Sequence, residues 1–381
     1  MRLNSQFIRS STFKKPNLRN NQATIPKIIR IVMSDQEFLL LQAAFKKPIS
    51  RTPVWIMRQA GRYLKEYREV RKKAGNFLDL CMDPELAAEV SIQPLDLVGV
   101  DAVIMFSDIL TPLIGMGMDL AFTPGPVIAN PIKSEHDIDS LVLKDPDEST
   151  PYVGKILDIL KKEVGSRVPV IGFAGAPFTL ASYMIEGGGS KLFSSTKALF
   201  WEKPELANRL MEKLARMTVD YLNYQIDHGA NMVQLFDTWA GIFSADEYQA
   251  YVLPHVQAIF SQLKGNKKVP KAYYINSSRH LIQQMAQSGA DVASLDWTID
   301  LKEAKDLIGD RVALQGNLDP NVLFCSDQVI KNKVKAVLSK YGTESGHIFN
   351  LGHGIDKDVN PDRVRFMIKT VKELSKRQRC S

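Results

Sequence analysis

Two arginines near position 60 have a spacing suited to anion binding. Arg58 and Arg62 are four residues apart, so they would share one face of a helical turn. The planar guanidinium pairs bidentately with carboxylates and phosphates and keeps its charge at neutral pH. A solvated basic helix is the alternative, and Lys65, Arg68 and Lys72 fit that description. Because Arg58 and Arg62 directly follow an apolar run, we interpret these two as an anion-binding pair.

A carboxylate, Asp108, ends a second apolar run in the segment Phe106-Ser-Asp-Ile-Leu. Aspartate at such a position commonly caps the following turn. It can equally accept hydrogen bonds from N–H groups of a ligand, or stabilise a cation that forms during a reaction. Both readings of Asp108 are consistent with its position.

Three further motifs carry polar side chains beside glycines. They are Gly172–Thr179 followed by Tyr183 and Glu186-Gly-Gly-Gly, Asp237-Thr-Trp-Ala-Gly, and Asn350-Leu-Gly-His353-Gly. Glycine lets the backbone approach a bulky ligand closely, or simply makes the turn. The position of His353 between glycines at the end of an apolar run favours substrate contact over a packing role.

Common catalytic and cofactor-binding motifs are missing. The sequence has no His-Xaa-Cys or Cys-Xaa-Xaa-Cys pair, and its cysteines Cys81, Cys325 and Cys380 are far apart, so neither a thiolate zinc site nor a disulfide framework is indicated. It also has no Walker or dinucleotide-binding fingerprint. Any chemistry would therefore use side chains and the substrate itself.

Eight short, continuously apolar runs, rich in β-branched and aromatic residues, alternate with longer amphipathic stretches, as in a buried parallel sheet. The runs are Pro53–Met57, Asp101–Phe106, Val168–Phe173, Asn231–Phe236, Lys271–Ile275, Asp291–Leu295, Arg311–Leu314 and His347–Leu351. Pro204–His228 and Asp327–Tyr341 have the apolar spacing of helices with one buried face.

This alternation predicts an α/β fold, a single (β/α)8 TIM barrel. A doubly wound open sheet is the competitor, but the turn after the first run lacks the expected phosphate-binding glycines. A barrel gathers functional groups at the carboxyl ends of its strands. The residues at those ends are Arg58, Asp108, Ala174-Gly-Ala176, Asp237, Asn276, Asp296, Asn317 and His353.

The net charge of +7 comes from the beginning of the chain. Residues 1–33 contain seven basic side chains and no acid, so residues 34–381 have 42 of each. A neutral body does not support a nucleic-acid-binding surface. We expect residues 1–33 to be a basic extension (disordered, a transit peptide, or upstream of a working start at Met33) and residues 34–381 to form the barrel domain. No apolar run approaches the length of a membrane helix.

Several of these motifs, in order from about Leu40 to Leu374, resemble the uroporphyrinogen decarboxylase family. The resemblance is carried by Pro53–Leu64 with its Arg-Gln-Ala-Gly-Arg core, Phe106–Leu110, Gly175–Leu180 with Tyr183 and Glu186–Gly189, Phe236–Gly241, and Asn350–Gly354. It implies a TIM barrel that forms a homodimer in the cytoplasm. A plastid or mitochondrial location is the alternative if residues 1–33 are a transit peptide.

The resemblance also implies a reaction. It is the decarboxylation of the four acetate side chains of uroporphyrinogen III to give coproporphyrinogen III, a lyase step of haem and chlorophyll biosynthesis that needs no cofactor. The substrate-binding positions that it implies are Arg58, Gln59, Ala60, Gly61, Arg62, Arg71, Asp108, Tyr183, Thr238 and His353.

The resemblance gives two of these residues a catalytic role. Asp108 is expected to accept hydrogen bonds from the pyrrole N–H groups and to stabilise a protonated ring, and Arg58 to bind carboxylate and assist proton transfer. Thr238, where a serine is usual, and Phe178, where many relatives have tryptophan, depart mildly from the family pattern.

Two other functions are compatible with a barrel of this kind. Methyltransferases that act on corrinoids or thiols use a similar barrel, but they need histidine and cysteine zinc ligands near strand ends, for which this sequence offers no suitable cysteine. A catalytically inactive tetrapyrrole carrier would be favoured by loss of the Arg58, Arg62 and Asp108 set, and that set is intact.

Overall fold

The computed structural model describes residues 38–265 and 267–377. The predicted basic extension, residues 1–33, lies outside the described residues. The helices, numbered in chain order, are α1 Leu39–Ala44, α2 Lys65–Lys73, α3 Phe77–Met82, α4 Pro84–Leu97, α5 Thr111–Gly115, α6 Glu135–Asp139, α7 Pro146–Ser149, α8 Pro151–Val164, α9 Pro177–Glu186, α10 Ser194–Glu202, α11 Pro204–Asp227, α12 Ala245–Tyr251, α13 Leu253–Gln262, α14 Ile282–Gln287, α15 Leu301–Ile308, α16 Asp327–Tyr341 and α17 Pro361–Leu374.

The described strands form one parallel sheet of seven strands and one small antiparallel hairpin. The strands are β1 Val103–Ile104, β2 Leu120–Phe122, β3 Pro126–Ile128, β4 Val170–Gly175, β5 Met232–Asp237, β6 Lys271–Ile275, β7 Val292–Leu295, β8 Ala313–Gln315 and β9 His347–Ile348. The order in the large sheet is β1-β4-β5-β6-β7-β8-β9, and β2 pairs with β3. Consecutive strands pair side by side with helices between them, so the chain has a TIM-barrel-like α/β fold.

Seven of the eight predicted apolar runs overlap these seven parallel strands, three of which, β4, β5 and β8, extend one or two residues beyond the run. The eighth, Pro53–Met57, contributes only one parallel bridge, from Val54 to Phe349. Side chains bind the N–H groups that a ladder would use: Asp101 accepts from Val54 at 2.9 Å, and Asn350 accepts from Met57 at 3.0 Å. In place of the predicted regular strand, the described structure shows at Pro53–Met57 one bridge and backbone hydrogen bonds to Phe349 and Asp101.

Two apolar clusters pack against the two faces of the sheet. The larger lies between the strands and the outer helices. The smaller consists of side chains inside the curved sheet, including Ile171, Met232, Ala272 and Val292, packed against Leu40 of α1. Helix α1 therefore covers one end of the sheet interior, and the opposite end, where the carboxyl ends of the strands lie, is available for a site.

The structure confirms the two helices that apolar periodicity predicts. Helix α11 begins at Pro204 and ends at Asp227, with Leu210, Leu214 and Leu222 fully buried on one face. Proline at the first helical position costs nothing, because that N–H has no intrahelical partner. Helix α16 has the predicted bounds, Asp327–Tyr341. Within the described residues, no helix is both long enough and apolar enough to cross a membrane.

Candidate active site

Arg58 follows the Pro53–Met57 segment and takes a left-handed backbone conformation, with φ of 60°. This conformation is uncommon for a residue with a side chain. The exposed arginine lies across Gly354, where a Cβ atom would collide with its Cδ and Nε atoms. Glycine at position 354 therefore gives the Arg58 side chain the room to lie across the loop that contains His353.

Gln59 points away from the solvent-facing side of the turn. It is fully buried and donates to the carbonyl oxygen of Ala102 at 3.0 Å, while its own amide oxygen accepts from the N–H of Ile56 at 3.3 Å. These bonds hold the Arg58 turn against the strand region around Ala102. The buried side chain of Gln59 thus holds the turn in place, whereas the side chain of Arg58 is exposed.

The remainder of the arginine motif forms an open turn before α2. Ala60 and Gly61 are half-buried, and Arg62 is exposed. The guanidinium of Arg68 donates to the carbonyl oxygens of Arg62 and Tyr63 at 2.6 and 3.3 Å, which fixes the turn to the helix. Arg68, predicted to face water only, therefore has a structural contact.

Arg71 lies near the end of α2 and donates to the carbonyl oxygen of Gly75 at 2.9 Å. Its positive charge lowers the pKa values of both Tyr67 and Cys81, although burial raises each of them above its ordinary value. The Arg62 charge also lowers the pKa of Tyr67, so Arg62 and Arg71 approach the same ring. Both arginines therefore place positive charge near Tyr67.

Asp108 lies in the loop between β1 and α5 and is half-buried. Its carboxylate accepts a hydrogen bond from the N–H of Leu110 at 2.9 Å, so the capping role is present. Burial raises the pKa of Asp108 above its ordinary value, whereas the Leu110 N–H and the positive charge of Arg58 lower it. Asp108 and Arg58 are therefore electrostatic neighbours, and one carboxylate oxygen is free of protein partners among the described residues.

The rings of Tyr183 and Trp239 pack against each other at an angle, with their centroids 6.1 Å apart. Burial raises the pKa of Tyr183, the Asp108 charge raises it further, and Trp239 and Arg58 lower it. Thr238 precedes Trp239 and is half-buried at the end of β5. The hydroxyl group of Tyr183 thus comes from α9, the helix that follows β4, and that of Thr238 from the end of the neighbouring strand β5.

His353 lies on the loop after β9, with its ring 6.1 Å from that of Tyr274. Burial lowers the pKa of His353 to about 4, with a further contribution from the Arg58 charge and an opposing one from Asp296. The imidazole is therefore neutral at pH 7 and can donate or accept a hydrogen bond.

Three other residues that were predicted at the carboxyl ends of the strands bind protein groups. Asp237 is fully buried and accepts from the N–H and hydroxyl of Thr179 and from the hydroxyl of Tyr273. Asp296 accepts from the N–H groups of Ser278 and Thr298. Asn317, which follows a cis peptide bond, donates to the carbonyl oxygens of Asp296 and Ile299.

These three side chains therefore hold parts of the fold together through hydrogen bonds. Alternation along β5 could have predicted that Asp237 points away from the sheet interior that holds Met232, towards the helices, but nothing in the sequence pairs it with Tyr273. Phe178, which departs from the family pattern, packs in the core with its ring centroid 5.5 Å from Phe200 and 4.7 Å from Phe243.

Among residues 38–265 and 267–377, no cluster of three or more histidine, cysteine, aspartate or glutamate side chains is placed to hold a metal ion.

The chain matches the family model "Uroporphyrinogen decarboxylase (URO-D)" over residues 35–374. A protein named uroporphyrinogen decarboxylase from Trichlorobacter lovleyi is 48% identical over 337 residues, covering 88% of this chain and 98% of the relative. A protein of the same name from Geobacter sulfurreducens is 46% identical with the same coverage.

Among solved structures, a methyltransferase from Methanosarcina mazei superposes with a TM-score of 0.75 at 20% identity, covering 88% of this chain and 97% of the other. At that identity the likeness concerns the fold alone. The family match and the relatives together show that the chain belongs to the uroporphyrinogen decarboxylase family.

Proposed function

We propose that this protein decarboxylates the four acetate side chains of uroporphyrinogen III to give coproporphyrinogen III, without a cofactor. The observation that carries the proposal is the half-buried Asp108 beside the cationic Arg58, in a chain of the uroporphyrinogen decarboxylase family. The relatives from Trichlorobacter lovleyi and Geobacter sulfurreducens are both named uroporphyrinogen decarboxylase.

Substrate binding requires cations, because uroporphyrinogen has eight carboxylates. With equal numbers of acids and bases in residues 34–381, the body supplies no general positive field. Arg58, Arg62 and Arg71 supply local positive charge on one side of Asp108, and each guanidinium can pair with a carboxylate. Ala60 and Gly61 between them let the macrocycle approach the backbone. Gln59 is proposed to act through the turn that it holds.

The chemical step replaces a carboxylate by a proton. Protonation of a pyrrole carbon gives a cationic ring, which accepts the electron pair of the breaking C–C bond as CO2 leaves. The resulting methylene carbon then takes up a proton and the ring loses the one it gained, so each turnover consumes one proton and leaves a methyl group.

Asp108 is proposed to stabilise the cationic ring. Its carboxylate lies in a region where burial disfavours charge, so the interaction with a nearby cation is little screened by water. The free oxygen can accept the pyrrole N–H groups, which become stronger donors as the ring gains charge. The Arg58 charge helps to keep Asp108 ionised before the substrate binds.

Tyr183, Thr238 and His353 are proposed to bind the substrate periphery. Tyr183 is held protonated by its raised pKa and can donate to a carboxylate. His353 is held neutral by its lowered pKa, so it offers an N–H donor without adding a positive charge beside Arg58. The hydroxyl of Thr238 can fill the place of the serine that the family pattern usually has there.

We also propose that residues 34–381 form one barrel domain, that Pro53–Met57 closes the seven-stranded sheet into an eight-stranded barrel, and that the protein is a cytoplasmic homodimer. Closure is supported by the Val54–Phe349 bridge on one side and by the Asp101 N–H bond to the Val54 carbonyl oxygen, 2.7 Å, on the other.

The test is anaerobic incubation of the full chain with uroporphyrinogen III, followed by oxidation and separation of products by carboxyl count. We expect porphyrins with seven, six, five and four carboxylates to appear in turn. Unchanged eight-carboxylate material from a folded protein would refute the proposal. Tight binding without turnover would instead indicate a carrier.

A further inference from the structure

Asp237 joins two elements that carry proposed substrate-binding residues. It is the last residue of β5 and is fully buried, and its Oδ1 atom accepts both the N–H and the hydroxyl of Thr179, at 3.2 and 2.7 Å. Thr179 lies in the first turn of α9, the helix that follows the neighbouring strand β4. A backbone bond from the N–H of Ala176 to the carbonyl oxygen of Phe236, 2.8 Å, leads up to this contact. The Asp237 side chain therefore continues the connection between β4 and β5 beyond the sheet.

Helix α9 relies on Asp237 for part of its capping. Its N-cap residue is Ala176, which has no side-chain acceptor, so Asp237 accepts an N–H of the first helical turn instead. The carboxylate also places a negative charge at the helix end where such a charge is stabilising. Tyr183 is four residues after Thr179 and lies on the same side of the helix, one turn further on. The bond to Thr179 therefore holds the part of α9 that carries Tyr183.

Thr179 also holds the residues that follow β5. Its hydroxyl oxygen accepts the N–H of Trp239 at 3.1 Å. Thr238 lies between Asp237 and Trp239 in the chain, and each of these two neighbours is bonded to the Thr179 side chain. The backbone on both sides of Thr238 is therefore tied to α9.

The hydroxyl protons around Asp237 can be assigned. The pKa of Asp237, about 6, leaves its carboxylate ionised at pH 7, and an ionised carboxylate only accepts. Thr179 and Tyr273 therefore give their protons to Asp237, at 2.7 and 2.8 Å. Tyr248 in turn gives its proton to Tyr273 at 2.8 Å, and the Thr179 oxygen keeps a lone pair for the N–H of Trp239. Because the four side chains that make these bonds are fully buried, water does not replace a partner that is removed.

We propose that Asp237 and Thr179 are positioning residues, which together set the place of Thr238 after β5 relative to Tyr183 on α9. The hydrogen bonds are observed, whereas the effect on catalysis rests on the proposed function, in which Thr238 and Tyr183 bind the substrate periphery. Loss of the Thr179 hydroxyl should therefore weaken substrate binding more than it slows the chemical step.

The first experiment compares the kinetics of Thr179→Val, which removes the hydroxyl and keeps a similar shape, with those of Thr179→Ser, which keeps the hydroxyl. We expect Thr179→Val to raise KM about three- to tenfold, the value of about one hydrogen bond, with kcat within about twofold of the wild type. Thr179→Ser should have wild-type constants. Equal KM values for the two variants would overturn the proposal.

The matched control is Ser182→Ala. It removes another buried hydroxyl of α9, one that donates to the carbonyl oxygen of Phe178 within the helix. Ser182→Ala should lower Tm and leave KM unchanged. If Thr179→Val also lowers only Tm, its hydroxyl has a structural role alone and the positioning role is wrong.

The second experiment repeats Thr179→Val in a Tyr183→Phe/Thr238→Ala background. Both hydroxyls that Thr179 is proposed to position are missing there, so Thr179→Val should cause no further rise in KM. A rise as large as in the wild-type background would show that Thr179 affects KM by another route, and would contradict the proposal.

Crystal structures of the wild type, Thr179→Val and Thr179→Ser provide a test that does not depend on activity. We expect the Tyr183 and Thr238 side chains to shift or lose order in Thr179→Val and to keep their places in Thr179→Ser. If the wild type does not decarboxylate uroporphyrinogen, the proposed function fails, and these structures still decide whether Thr179 sets the two positions. If Thr179→Val does not fold, Asp237→Asn replaces it in all three experiments, and a wild-type KM with unmoved side chains in that variant would overturn the proposal.

Discussion

At the scale of single residues, the site depends on the environment that the fold gives to Asp108. An exposed aspartate beside an arginine would interact weakly, because water screens both charges. Burial strengthens the field at Asp108 and also raises its pKa, and Arg58 and the Leu110 N–H oppose that rise. The arrangement suits a carboxylate that must stay charged and face a cation.

Asp108→Ala should abolish most activity and leave the fold intact. We expect kcat to fall by about a hundredfold or more, the usual effect of removing a group that stabilises transition-state charge. Asp108→Asn keeps an acceptor for the Leu110 N–H but not the charge, so it should be equally inactive. Product analysis and a circular-dichroism melt are the measurements, with the exposed Asp310→Ala as control. A strong drop in Tm for Asp108→Asn would contradict this separation of charge from stability.

Asp237 should make stability depend on pH. Burial raises its pKa to about 6, while the Thr179 and Tyr273 bonds lower it. The unfolded pKa is about 3.9, so the folded state binds the proton more tightly, and this contribution is present below about pH 4 and lost as pH rises through about 6. Between pH 4 and pH 6 the wild type should therefore lose about 2 kcal/mol of unfolding free energy. Asp237→Asn has no group that titrates at this position, so it should not show this loss.

The measurement is the free energy of unfolding in urea at several pH values between 4 and 7, for wild type and Asp237→Asn. The variant starts less stable at pH 4, because its amide NH2 group meets the donors of Thr179 or Tyr273, where the protonated acid has an oxygen that accepts. Its deficit should shrink as pH rises. A deficit that stays constant from pH 4 to 7 would mean that Asp237 does not titrate in this range.

At the scale of elements, apolar runs located the parallel strands well, because a buried parallel strand is apolar on both faces. Lys271–Ile275 has the bounds that its composition predicts. Pro53–Met57 does not form a regular strand, because Asp101, Gln59 and Asn350 side chains bind its N–H groups. Such distant side-chain contacts leave no periodic signal in a sequence.

The same limit applies to the site. The sequence places Arg58, Asp108 and His353 at strand ends, and in the structure the Arg58 charge lowers the pKa values of both Asp108 and His353. It also places Asp237 at a strand end, but whether that side chain faces the substrate or Tyr273 depends on packing.

Asp101 is the side chain that joins the Pro53–Met57 segment to the rest of the fold. It pairs with Arg51 at 2.7 Å and Lys372 at 3.0 Å and accepts the Val54 N–H. Burial raises its pKa, but these partners outweigh burial and hold the pKa below its ordinary value. Its stabilising contribution is therefore present above about pH 4 and lost as pH falls through the lowered pKa.

Asp101→Asn should lower the free energy of unfolding at pH 7 by about 3 kcal/mol, because two largely buried cations lose their partner. The deficit should narrow in acid. The matched control is Asp96→Asn, which breaks the exposed pair with Arg167 and should cost less than about 1 kcal/mol. The measurement is the free energy of unfolding in urea at pH 7 and pH 3.5. An equal loss of stability in Asp101→Asn and Asp96→Asn would contradict the larger contribution expected of Asp101.

At the scale of the whole molecule, charge is divided unevenly. The excess of seven positive charges lies in residues 1–33, and the remainder is neutral. A substrate with eight carboxylates could be attracted either by the net charge or by the local arginines. The ionic-strength dependence of kcat/KM in the wild type alone does not separate the two, because long-range and local attraction both weaken as salt is added. Removing the charges one region at a time does distinguish them.

We expect local attraction to dominate. Deletion of residues 1–32, which leaves Met33 as the start, removes the whole net charge but none of Arg58, Arg62 and Arg71. It should leave the ionic-strength dependence of kcat/KM nearly unchanged. Arg62→Gln removes one exposed charge beside the site, and should lower kcat/KM at low salt by about tenfold and flatten the dependence. Lys335→Gln removes an equal charge from the exposed face of α16 and serves as its control. If the deletion flattens the dependence and Arg62→Gln does not, the basic front segment, and not the arginine turn, attracts the substrate.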